Sequence, residues 1–194
     1  SSGHNLNEHF VVQYAGNIGL SQGLETVLEA ARLLKEEQDV LFLFVGEGAG
    51  RLPLEKQAVD LDNVRFLPYQ PRERLPEMLA SADVSLVVLK QGIGSASLPS
   101  KTFSILASGR PVLASADVDS DVSKLVRDSH SGVCVPPGDP KQLAEAVLSL
   151  RADPSRRREM GNNGHRWAKE HHSPRSAALG FEHLLLEMMG EAKE

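Results

Sequence analysis

Six short apolar runs, each separated from the next by a stretch of helical periodicity, constrain this chain more than any other feature. They are Val11 to Ala15, Val40 to Val45, Val64 to Leu67, Val84 to Leu89, Val112 to Ser115 and Val133 to Val135. Val, Leu and Phe dominate them, and most are nearly continuous in apolar character. A strand wet on one face alternates apolar with polar residues, whereas a strand covered on both faces does not. The intervening segments carry the other period. Leu24, Val27, Leu28, Ala31 and Leu34 fall on one helix face, as do Leu75, Met78, Leu79 and Ala82, and then Leu143, Val147 and Leu150. Alternation of this kind predicts an α/β fold: an open, doubly wound, Rossmann-like parallel sheet of six strands, with helices on both faces and right-handed crossovers.

Boundary signals agree with that reading. The helix predicted from Pro99 to Ser108 stops at Gly109, a residue suited to the position just past a helix end, and a strand opens after Pro111. Asp139 followed by Pro140 reads as a helix cap with proline in the first turn. Beyond Leu150 the strands stop. Residues 154 to 172 read as helical with Gly161 and Gly164 as interruptions, and a last helix carries Ala178, Phe181, Leu184, Leu185 and Met188 on one side. No linker-like stretch divides the 194 residues. The expectation is one domain over residues 10–194, preceded by a flexible polar segment over residues 1–9.

Charge and composition remove several function classes. The formal net charge of −5 supplies no overall positive field for nucleic acid or an anionic membrane. No apolar run approaches the ~20 residues that span a bilayer, and residues 1–9 are polar, with no secretory leader visible. The single cysteine, Cys134, excludes an internal disulfide and reads as a buried strand residue. His171 and His172 lack partners at metal-ligand spacing, so no metal is expected. Arg156, Arg157 and Arg158 read as a solvated helix face, and Trp167 as a packing anchor.

In a doubly wound sheet, ligands bind outside the C-terminal ends of the strands. Three loops there stand out. Residues 16–23, Gly-Asn-Ile-Gly-Leu-Ser-Gln-Gly, carry glycines that let the backbone turn tightly and approach a ligand, and they precede a helix whose first amides can meet an anion. The competing reading is a tight turn with Ser21 as helix cap. Residues 92–101, Gly-Ile-Gly-Ser-Ala-Ser-Leu-Pro-Ser-Lys, run small residues into a helix that carries Lys101 in its first turn. A cation there opposes the helix dipole, and a bound anion would compensate it; the competing reading is a solvated surface lysine. Residues 46–50, Gly-Glu-Gly-Ala-Gly, read alone as a turn. Neither glycine loop has the spacing of the dinucleotide fingerprint, which disfavours a nicotinamide-dependent oxidoreductase.

Taken in order, these pieces resemble a known family. Tyr14-Ala15-Gly16-Asn17-Ile18-Gly19 with Gln22-Gly23-Leu24-Glu25, Phe44 to Gly48, Val64 to Pro68, Ser81 to Val84, Leu98 to Lys101, Ala107 to Val112, Gly132 to Asp139 and Met160 to Gly164 resemble the C-terminal, donor-binding domain of family-4 retaining glycosyltransferases with the GT-B fold. The similarity is greatest to the branch that builds bacterial surface polysaccharides.

That resemblance implies a nucleotide-diphosphate sugar as donor, UDP-linked by family habit, and transfer with retention to a glycan or polyprenyl-linked acceptor. It implies no cofactor and no metal. It also implies that the acceptor-binding N-terminal domain lies outside this chain, that the isolated domain is inactive, and that the parent works in the cytoplasm or at the inner membrane face. Lys101 is implied as the catalytic cation, with donor contacts from Gly16, Asn17, Gly19, Gln22, Gly94, Ser95, Ser97, Ser100 and Ser104, and from the backbone near Phe66, Leu67 and Tyr69. The chain departs from the family at four positions. Asn17 and Gln22 stand where many relatives carry Arg and Lys. Ala96 and Ser104 stand where the family has a pair of glutamates, the second of which accepts hydrogen bonds from the ribose. These departures leave a noncatalytic, glycosyltransferase-like scaffold in a polysaccharide-assembly complex as the alternative.

Overall fold

A computed structural model describes residues 8–20, 22–92 and 100–171. Its strands are β1 (Phe10–Ala15), β2 (Val40–Val45), β3 (Val64–Leu67), β4 (Val84–Val88), β5 (Val112–Ser115) and β6 (Gly132–Val135). Its helices are α1 (Glu25–Leu33), α2 (Arg51–Gln57), α3 (Leu75–Ala80), α4 (Ser100–Ala107), α5 (Asp121–Asp128), α6 (Pro140–Ala152) and α7 (Pro154–His171). All six strands pair in parallel, in the order β3-β2-β1-β4-β5-β6. The predicted doubly wound sheet is therefore present, with strand limits shifted by a residue at β1, β4 and β6.

Each face of the sheet meets its own set of helices. Val12, Tyr14, Phe42, Phe44, Leu86 and Leu113 pack against α1 and α6, where Val27, Leu28, Ala31, Leu143, Val147 and Leu150 are all buried. On the other face, Val87, Val112 and Ala114 pack against Leu79 of α3, Ile105 and Leu106 of α4, Val122 and Val126 of α5, and Ala168 of α7. The helical spacing read from the sequence thus selects the residues that lie in the core. Asp139 caps α6 by accepting from the Gln142 amide, as expected.

Four expectations need correction. Gly161 and Gly164 do not interrupt α7, which runs unbroken from Pro154 to His171. They are contact points: a Cβ at Gly161 would lie 2.0 Å from the Gly109 carbonyl oxygen, and one at Gly164 would lie 2.9 Å from Leu106 Cδ2. Arg157 is not a solvated side chain. It lies over the Phe10 ring at 4.9 Å, donates to the Arg151 carbonyl at 2.8 Å and approaches Asp83. Cys134 is half-buried, with its thiol against the Ser123 carbonyl, because β6 is an edge strand. The N-cap of α1 is Leu24, with no side-chain cap, so the reading of Ser21 as cap does not hold.

Trp167 does anchor α7. It stacks on Phe103 of α4 and on His171 one turn along its own helix. The last helix expected from Ala178 to Met188 lies outside the described residues, as do His172 and the polar segment before Glu8. Among the described residues, no helix is long and apolar enough to cross a membrane.

Candidate nucleotide-binding site

The strand order reverses between β1 and β4. At such a switch point the connections leave in opposite directions, and a crevice opens outside the strand ends. The glycine loop follows β1, and α4, which carries Lys101, is the helix that follows β4, so the glycine loop and α4 flank this crevice.

The first loop is built on the third, which follows β2. Gly16 and Ile18 donate to the carbonyls of Val45 and Glu47 at 2.9 and 2.8 Å, and Gly50 donates back to Ile18 at 2.8 Å. The two backbones lie so close that side chains cannot fit between them. A Cβ at Gly46 would stand 1.9 Å from the Gly16 carbonyl oxygen, and one at Gly48 would stand 2.4 Å from that of Ile18. Gly46 and Gly48 also have φ of 150°, a backbone conformation that only glycine adopts without strain. The Gly-Glu-Gly-Ala-Gly stretch is therefore a platform for the first loop and not merely a turn.

Two cations that the sequence reading passed over brace this region. Arg51 donates to the carbonyls of Gly46 and Leu67 at 2.8 and 3.1 Å and pairs with Glu47 and Glu55. Lys90, just past β4, donates to the Leu20 carbonyl at 2.9 Å. A basic residue directly after a buried strand is the signal that would have identified Lys90.

With the loop so held, its amides divide into two groups. Those of Gly16 and Ile18 are used by the platform. Those of Asn17 and Gly19 have no acceptor among the described residues. The side-chain amides of Asn17 and Gln22 converge on Gly19, at 3.1 and 3.7 Å from where its Cβ would stand.

Lys101 reaches this loop from α4. Its side chain lies along Gly16, with Cδ and Nζ 3.6 and 3.8 Å from the Cβ position there. Its ammonium sits over the Tyr14 ring, 3.9 Å from the centroid. Tyr14 is itself fixed: it is buried, and its hydroxyl donates to the Asn17 carbonyl at 2.7 Å. One aromatic side chain thus ties the lysine to the glycine loop, an interaction worth about 0.5–2 kcal/mol. Tyr14 is an unmarked aromatic within a buried strand, so the sequence carried no sign of this role.

The electrostatics follow from the surroundings. No carboxylate among the described residues pairs with Lys101. Burial without a counter-ion lowers its pKa to about 8, and burial raises that of Tyr14 to about 12. Lys101 is thus no ordinary surface lysine. A half-buried cation beside backbone donors that have no acceptor among the described residues is a site that an anion would complete.

These groups open onto a cavity of about 510 Å³ lined by Gly16, Tyr69, Gln70, Met78, Lys101 and Ser104 among others. Four residues expected at the site, Gly16, Tyr69, Lys101 and Ser104, therefore share one space. Asn17, Gly19 and Gln22 lie on the loop that carries Gly16 and are not among the lining residues. The Phe66 side chain points into the core, stacked on Phe44 at 5.0 Å. The Leu67 carbonyl is already bonded to Gly46 and Arg51, and its side chain faces a neighbouring hollow with Arg74 and Glu77. Gly94, Ser95 and Ser97 lie outside the described residues, and Ser100 opens α4. Among the described residues, no group of three or more His, Cys, Asp or Glu side chains could hold a metal ion.

Comparison with known proteins bears on this arrangement. The family model described as glycosyl transferases group 1 matches residues 2–167. WcaI of Escherichia coli (strain K12), whose name assigns it to colanic acid biosynthesis as a glycosyl transferase, is 39% identical over 140 residues, covering 71% of this chain and 34% of WcaI. An alpha-D-kanosaminyltransferase of Streptomyces kanamyceticus is 33% identical over 167 residues, covering 82% of this chain and 41% of the relative. The chain thus spans about a third to two-fifths of the length of these curated relatives. Among solved structures, Anabaena Alr3699/HepE in complex with UDP superposes with a TM-score of 0.78 at 17% identity, over 96% of this chain and 50% of that one. This last likeness is one of fold.

Proposed function

Because this chain belongs to the group 1 glycosyl transferases, we propose that it is the donor-binding part of a sugar-transferring enzyme and holds a nucleotide-diphosphate sugar in the crevice between β1 and β4. The observation that carries this reading is Lys101: a cation with no carboxylate partner among the described residues, held over Tyr14 beside the Asn17 and Gly19 amides, which have no acceptor among those residues.

In this reading the diphosphate lies between Lys101 and the first loop. Asn17 and Gln22 donate from their side-chain amides, and Ser104 faces the nucleoside. The base rests toward Tyr69 and Gln70, beyond the engaged carbonyl of Leu67. As the sugar departs, negative charge grows on the diphosphate. Lys101 and the loop amides are already aimed at it, so little reorganisation is needed. The donor is a UDP-sugar, the transfer retains configuration, and no metal takes part. The rest of the parent presents the acceptor, a glycan or polyprenyl-linked sugar in polysaccharide synthesis. Neither half alone can align the reacting atoms.

The test is calorimetric titration of the 194-residue chain with UDP, GDP, NAD and inorganic diphosphate, repeated on Lys101→Met. Binding of UDP or GDP, weakened about tenfold or more by the substitution, is the expected result. Preference for NAD, or nucleotide binding indifferent to Lys101, would overturn the reading.

A further inference from the structure

Among the described residues, the cavity assigned to the nucleoside is lined by one charged side chain, Lys101, and by no carboxylate. Around it stand Ala15, Val45, Leu75, Met78, Leu79 and Ile105, with Ser104, Tyr69 and Gln70 as the uncharged polar side chains. Two acids near it are engaged elsewhere. Glu47 is paired with Arg51 at 2.7 Å, and Glu77 lines the adjoining hollow. The loop that leads into α4 adds none, since residues 93–99 read Ile-Gly-Ser-Ala-Ser-Leu-Pro.

The position of a ribose in this space follows from the helix. Ser104 is three residues past Lys101 on α4, hence on the same face and about one turn, ~4.5 Å, further along. A nucleoside diphosphate with its phosphates at Lys101 and its base toward Tyr69 lays its pentose across Ser104. Strict selection of a hydroxyl requires a site group that is left buried and unpaired when the hydroxyl is absent; such sites reject the deoxy analogue by about 10⁴–10⁵. A serine hydroxyl is a rotor that donates or accepts and can turn to another partner or to water. Its loss of one bond to the pentose leaves no charge stranded.

We propose that this pocket does not read the 2′-hydroxyl: it accepts 2′-deoxyribonucleoside diphosphates as well as ribonucleoside diphosphates, so deoxythymidine-diphosphate sugars fall within its donor class. This inference rests on the nucleotide-binding reading above and narrows it to a substrate class.

The test compares UDP with 2′-deoxy-UDP on the 194-residue chain by calorimetry, the two ligands differing by one hydroxyl. Dissociation constants within about threefold of each other are expected. A preference for UDP above about tenfold would overturn the inference and leave nucleotide binding intact. Failure of both to bind would overturn the nucleotide reading and this inference with it. Ser104→Glu supplies the absent carboxylate and is expected to raise the UDP preference about tenfold or more. An unchanged ratio in folded Ser104→Glu protein would show that the pentose does not lie at Ser104 and would overturn the assignment.

Discussion

Raising the pH from 7 to 9 should release the ligand without unfolding the protein, because the site depends on one lysine whose proton is loosely held. Burial brings the Lys101 pKa to about 8. The ammonium form is then about nine-tenths populated at pH 7 and about one-tenth at pH 9. If the diphosphate binds the charged form, affinity falls about tenfold over that interval, within the ceiling set by a charged hydrogen bond of about 1.5–3 kcal/mol. A bound phosphate returns the pKa toward its ordinary value, so binding at pH 9 should take up close to one proton. Calorimetry in two buffers of different ionisation enthalpy measures that uptake. Lys101→Met, titrated in parallel, carries only the ligand's own ionisation. Affinity that stays level to pH 9, with no more proton uptake than Lys101→Met shows, would refute the reasoning. The same shift has a consequence for folding. Between about pH 8 and 10.5 the unfolded chain holds the Lys101 proton and the folded chain does not. The unfolded state then binds more protons, so this residue's contribution to stability rises with pH through that window, and Lys101→Met removes the rise.

Other perturbations separate the binding loop from the scaffold. Tyr14→Leu removes the ring beneath Lys101 and the bond to the Asn17 carbonyl, whereas Tyr14→Phe keeps the ring; titration should show UDP affinity down about three- to thirtyfold in the first and nearly unchanged in the second. Gly48→Ala drives a methyl to 2.4 Å from the Ile18 carbonyl oxygen and 2.6 Å from Asn17 Oδ1, so denaturant titration should show a loss of about 2 kcal/mol or more, and the folded fraction should bind UDP poorly. Gly161→Ala forces α7 away from Gly109 at the other end of the sheet; it should cost comparable stability yet leave the affinity of folded protein unchanged.

The contrast between those two glycines shows what was legible in the sequence. Strand and helix identity were, because a strand buried on both faces must be apolar throughout and a one-sided helix must repeat every three to four residues. Val40 to Val45 and Leu24 to Leu34 obey those rules without knowledge of any neighbour. The Asp139 cap was legible for the same reason, being complete within four residues. Strand order was not. That β4 lies beside β1 depends on pairings about seventy residues apart, and only that adjacency brings Lys101 to Gly16 and Tyr14. Glycines were ambiguous because the same residue serves turns, helix ends and close approach. Gly46, Gly48, Gly161 and Gly164 all turned out to serve approach. Arg157 was misjudged because a charged side chain on a polar helix gives no sign that an aromatic ring and two carbonyls wait on its buried flank.

Binding of a nucleotide diphosphate in the crevice between the first loop and α4 is the proposal on which the others depend. A crystal structure of the chain with UDP tests it most directly. Phosphate oxygens are expected about 2.7–3.2 Å from Lys101 Nζ and from the amides of Asn17 or Gly19, with the pentose beside Ser104. UDP bound elsewhere, for instance in the hollow formed by Asp83, Arg110, Arg157 and Arg158 at the opposite end of the strands, with Lys101 still lying over Tyr14, would contradict it.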